Sequence, residues 1–127
     1  MLQEAKAHCA KIGARAGRVM TAPGAFDAPL AAKTLLELRK SDAVVVLGAI
    51  VKGGTDHDRI IAASCANALA SLALEHNKPV ALGIIGPNAT YAAALERSKE
   101  YAARAVDAAV AQVREVRRIR AESRWER

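Results

Sequence analysis

The residues best suited to chemistry in this sequence stand together as Gly53-Gly54-Thr55-Asp56-His57. A glycine turn exposes backbone N–H groups, and beside the positive end of a helix dipole these favour an anion such as phosphate. Thr55 or Asp56 can cap the helix that follows. His57, just inside the helix start, can gain or lose a proton near neutral pH and so act on a bound reactant. A plain tight turn with a surface histidine fits the same residues, because short glycine motifs recur by chance. Arg97 is a candidate phosphate clamp, although a helix arginine paired with Glu96 or Glu100 is the simpler use of it. Lys52 can orient an anion or lay its stem along a strand end.

These side chains need elements to hold them. Val44 to Val51 is a continuous, largely β-branched apolar run, the pattern of a strand buried on both faces of a parallel sheet. A helix is expected from about Asp58 onward to about His76, broken by Asn77-Lys78-Pro79. Val80 to Ile85 reads as a second buried strand, followed by a loop at Gly86-Pro87-Asn88. Thr90 opens a long helix to about Glu122. Upstream, a helix is expected from Leu2 to about Ala16, ended at Gly13 or Gly17. Residues 18–22 form a short strand candidate that runs into Pro23-Gly24. Asp27 can cap, and Pro29 begin, a helix that reaches about Arg39. The order α-β-α-β-α-β-α implies a single-domain α/β fold, a parallel sheet with helices on both faces. Ligands of such sheets bind beyond the carboxyl ends of the strands, where residues 23–27, 51–57 and 86–90 would meet.

Composition narrows the function classes. At 127 residues the chain suits one domain with its own core. Phe26, Tyr91, Tyr101 and Trp125 are the only aromatics, too few for base-stacking platforms. The net charge of +6 gathers at the C-terminus, a basic helical tail over 115–127. Interspersed Glu115, Glu122 and Glu126 favour a solvated helix end over a nucleic-acid arm. Cys9 and Cys65 lack metal-type spacing and read as reduced thiols. No signal peptide or membrane-length apolar run is visible, so a soluble intracellular, cytoplasmic protein is expected. His8 and His76 lie away from the strand ends and are expected to face solvent.

Several stretches together resemble the lumazine synthase family, with archaeal members closest. Pro23-Gly24-Ala25-Phe26-Asp27-Ala28-Pro29 is similar to the family's PGA(F/W)(E/D)xP segment, and Gly48 to His57 to its glycine, threonine and histidine segment. Lys78 to Ile84 and Leu95-Glu96-Arg97 resemble the last strand and the arginine of the final helix. The resemblance implies a flavodoxin-like three-layer α/β/α sandwich. It implies condensation of 5-amino-6-(D-ribitylamino)uracil with 3,4-dihydroxy-2-butanone 4-phosphate to 6,7-dimethyl-8-ribityllumazine, with no cofactor and no metal. Gly53, Gly54 and Thr55 would hold the phosphate, with Arg97 supplied by a neighbouring subunit of a pentamer or of a shell of pentamers. His57 would transfer protons. Ala25, Phe26, Asp27, Ile50, Val51 and Leu82 would line the pyrimidine and ribityl pocket. Family members begin with a strand bearing an aromatic residue that stacks on the pyrimidine. Here Met1 falls within the first helix, so that N-terminal strand is expected to be missing. Alternatives on the same fold are a shell-forming or lumazine-binding scaffold with impaired catalysis, and an archaeal-type riboflavin synthase. The phosphate motif argues against the latter, whose substrate carries no phosphate.

Overall fold

The computed structural model describes residues 1–125; Glu126 and Arg127 of the basic tail lie outside the described residues. Two parallel strands, β1 (Val44–Val51) and β2 (Val80–Ala89), form the sheet. Helices α1 (Leu2–Lys11), α2 (Ala28–Leu36), α3 (His57–His76) and α4 (Tyr91–Glu122) surround it, with short 3₁₀ turns at Ala25–Asp27 and Ser123–Trp125. The register runs from Val44 opposite Val80 to Ala49 opposite Ile85, then shifts so that Val51 faces Ala89.

Strand alternation divides the core into two faces. Val44, Val46, Ile50 and Ile84 pack with Leu36 of α2 and Cys65, Leu69 and Leu72 of α3. On the opposite face Val45 and Leu47 pack against α1 and α4 through Ala5, Ala102 and Val106. The result is the expected three-layer α/β/α arrangement. Gly83 permits its closeness: a Cβ there would stand 2.9 Å from the Ala105 Cβ and 2.8 Å from Leu47 Cδ2.

Residues 18–22 are not a strand, which corrects the expected third strand. They carry no regular structure, and no backbone hydrogen bond reaches them among the described residues. A strand exists through its ladder, and these residues face β1 across a groove of about 410 Å³ lined by Arg18 to Ala22 and Val44 to Ala49. Three helix and strand ends also differ from expectation. Helix α1 stops at Lys11 because Gly13 takes φ +76°. There the Ala14 N–H donates to the Cys9 carbonyl and the Gly13 N–H to that of Ala10, closing the end at 2.8 and 3.3 Å. Helix α2 stops at Leu36, whose carbonyl accepts a 2.6 Å hydrogen bond from Lys78 Nζ. Strand β2 continues through Gly86-Pro87-Asn88 instead of ending at Ile85. Pro87 is tolerated because β2 pairs on one side only, so its missing N–H breaks no ladder there.

Candidate functional site

Parallel pairing brings the carboxyl ends of β1 and β2 to one edge, and the turn over Ala25–Asp27 packs against both α3 and β1 there. The Lys52 N–H donates to the Ala89 carbonyl at 2.8 Å, tying the exit of β1 to the end of β2. Lys52 itself is exposed.

Beyond it, Gly53, Gly54 and Thr55 form an exposed turn into α3. Neither glycine has a positive φ, and a Cβ at either would meet nothing within 4 Å. The fold itself therefore does not demand glycine at these positions; their backbone is open to close approach. The Thr55 hydroxyl oxygen accepts from the His57 N–H at 3.3 Å, while Asp56 occupies the N-cap position without a side-chain cap bond. His57, the first residue of α3, presents an exposed ring at this edge.

Ile50 and Leu82 share one cleft of about 290 Å³ whose wall also includes Arg59, Cys65, Ile84 and Pro87. Leu82 is 50% exposed and Phe26 62% exposed, large values for apolar side chains. Val51 is exposed as well. Ala25 is half-buried and packs against the core formed with α2 and α3. Asp27 occupies the N-cap position of α2 but makes no side-chain cap bond, contrary to its expected role.

Arg97 lies near the start of α4, exposed, and makes no hydrogen bond or ion pair among the described residues. Its expected alternative partner Glu100 pairs with Arg104 at 3.4 Å. The chain therefore does not bring Arg97 into hydrogen-bonding contact with residues 53–57 of its own loop. The arginines of the last helix act otherwise. Arg117 pairs with Asp42 at 2.7 Å, Arg114 donates to the Ile12 carbonyl, and Arg120 to that of Asn77. They fasten α4 to the ends of its neighbours. His8, expected to face solvent, is partly buried and meets the Asp107 carboxylate at 2.6 Å; His76 is also partly buried.

One residue at this edge escaped the sequence reading. Asp58 is only 5% exposed, and its Oδ2 accepts from the Asn88 N–H at 2.8 Å, while Oδ1 is buried with no hydrogen-bond partner. The Asn88 amide holds the carboxyl below its ordinary range against the opposing effect of burial, with the Arg59 amide and the Lys52 charge acting in the same direction as Asn88. Nothing in the sequence separates Asp58 from Asp56, which is exposed. Cys65 is buried, and desolvation pushes its thiol up.

A family model for 6,7-dimethyl-8-ribityllumazine synthase matches residues 1–118. The 6,7-dimethyl-8-ribityllumazine synthase of Saccharolobus islandicus is 50% identical over 119 residues, covering 94% of this chain and 77% of that protein. Those of Metallosphaera sedula and Methanothermobacter thermautotrophicus are 48% and 47% identical over 117 residues, covering 92% of this chain and 78% and 84% of those proteins.

Proposed function

This chain belongs to the 6,7-dimethyl-8-ribityllumazine synthase family and is a transferase of riboflavin biosynthesis, and we propose that its reaction runs at the carboxyl edge of β1 and β2. The reaction joins 5-amino-6-(D-ribitylamino)uracil to 3,4-dihydroxy-2-butanone 4-phosphate and releases 6,7-dimethyl-8-ribityllumazine, phosphate and water. The observation that carries this siting is the open glycine turn leading directly into the start of α3 with His57 as its first residue.

Gly53, Gly54 and Thr55 receive the butanone phosphate through backbone N–H groups and the threonine hydroxyl, next to the positive end of α3. His57 then stands beside the reacting carbon chain. It takes and returns protons as the ring amine adds to the ketone, water leaves to form the imine, and phosphate is eliminated. Holding the two reactants side by side supplies the larger share of the acceleration, because a bimolecular step becomes an internal one. Ala25, Phe26, Asp27, Ile50, Val51 and Leu82 line the pyrimidine and ribityl side. The exposure of Phe26 and Leu82 supports this assignment, since each leaves an apolar surface for a ring or a neighbouring subunit.

Arg97 completes the phosphate clamp from a neighbouring copy in a homopentamer or in an icosahedral shell of such pentamers. An exposed arginine without a partner among the described residues suits that use. The chain works as one domain over residues 1–127, in the cytoplasm, with no cofactor, no nucleic acid and no membrane surface. No helix among the described residues is long and apolar enough to cross a membrane.

Paired variants test the site. His57→Ala is expected to lower kcat by about 10²-fold, the low end of the range for a proton-transfer group. Arg97→Ala is expected to raise KM for the butanone phosphate by about tenfold or more, from the ~1.5–3 kcal/mol of a hydrogen bond to a charged group. Unchanged steady-state constants in both variants would remove the assignment.

A further inference from the structure

We infer that Asp58 is a positioning residue: its bond to the Asn88 amide clasps the end of β2 to the start of α3 and thereby holds the Gly53–His57 turn in its phosphate-receiving shape. The inference rests on the siting of the phosphate proposed above. Asp58 follows His57 directly, and its carboxylate oxygen meets the Asn88 N–H at 2.8 Å across thirty positions of sequence. Asn88 stands at φ +61° in a strand end that also receives the Lys52 N–H at the Ala89 carbonyl, so two links cross between the same segments. Between them lies the turn from Gly53 to His57, whose local bonds, from the His57 N–H to the Thr55 hydroxyl and from the Arg59 N–H to the Asp56 carbonyl, tie it to α3 and not to β2.

Asp58 sits under opposing electrostatic demands: the first turn of α3 favours its carboxylate, whereas burial and a nearby phosphate oppose it. It is 5% exposed, and one of its oxygens has no partner. A negative charge near a phosphate opposes binding, and an unpaired buried oxygen costs stability. The Asn88 bond offsets part of that cost and converts it into shape: the start of α3 cannot move away from β2 without stranding the second oxygen as well. Gly86 supports the same join. With φ +113° and no Cβ, which would stand 2.6 Å from the Ile50 carbonyl oxygen, it lets β2 lie close against β1 just before Asn88.

Amide hydrogen exchange on the full chain, with and without inorganic phosphate, tests the clasp in Asp58→Ala and Asp58→Asn. In Asp58→Ala, exchange at Asn88 and at His57, the amide of this turn that has an acceptor, should rise about tenfold or more, and phosphate should bind about tenfold more weakly. Asp58→Asn keeps an acceptor oxygen for the Asn88 amide and should restore slow exchange at both places. Without the charge, it should bind phosphate at least as tightly as the parent chain. Unchanged exchange at His57 and Asn88 in Asp58→Ala would overturn the clasp, as would a uniform rise across α3 and β2. Phosphate that protects no amide in the parent chain would overturn the phosphate site instead. The exchange pattern at His57 and Asn88 would still decide the clasp.

Discussion

A carboxylate, an imidazole and two glycines give the α3 start its chemical character, and the sign of the Asp58 shift makes its pH dependence definite. A carboxyl held below its ordinary value contributes stability above the unfolded pKa, and that contribution is lost as pH falls through the folded value. The stability difference between the parent chain and Asp58→Asn should therefore stay constant from neutral pH down to about 5, well above the unfolded pKa near 3.9. It should then collapse in more acid solution. Denaturant melts of both chains at several pH values give this difference directly. A difference that shrinks between pH 7 and 5 would mean the carboxyl is not held down. At this scale the sequence placed His57, Gly53 and Gly54 correctly at the helix start, because glycine and capping residues act locally. Asp58 was hidden because its role depends on Asn88, a partner thirty residues away.

The elements were legible wherever a local stop signal fixes them. Helix α3 ends at His76 and α4 opens just after Thr90, as read, since Asn77 in the left-handed conformation and the Thr90 cap are short-range features. Strand identity is not short-range. Residues 18–22 have a strand's composition but no ladder, whereas Gly86 to Asn88 look like a break yet lie within β2, which pairs again with the exit of β1 at Ala89. The contact between β2 and α4 gives an element-scale prediction. Gly83→Ala puts a methyl group within 2.9 Å of the Val46 carbonyl oxygen and of Ala105. Separating the layers to admit it should cost about 1–3 kcal/mol. Thermal unfolding of the variant at the parent chain's conditions checks this, and an unchanged midpoint would mean that α4 does not pack closely on the sheet.

Across the whole molecule, the apolar surface left outside the core is large. Phe26, Leu30, Ile60, Leu82 and Leu95 are all at least half exposed. One edge of β1 also looks onto a groove and not onto a strand. Exposed apolar patches and unpaired sheet edges both drive association. Sedimentation equilibrium should therefore find an assembly, with the pentamer as its smallest stable species. A chain that remains monomeric at micromolar concentration would deprive Arg97 of the neighbour on which the phosphate clamp depends. The proposed assembly is what the residues themselves disclose least, because self-complementarity of a surface leaves no motif in a single sequence.

The most direct measurement is turnover of the purified 127-residue chain with both substrates, following the absorbance of the lumazine and the release of phosphate. Lumazine and phosphate should appear in equal amounts, only when both substrates are present. A chain shown to be folded and assembled that forms no lumazine would contradict the account.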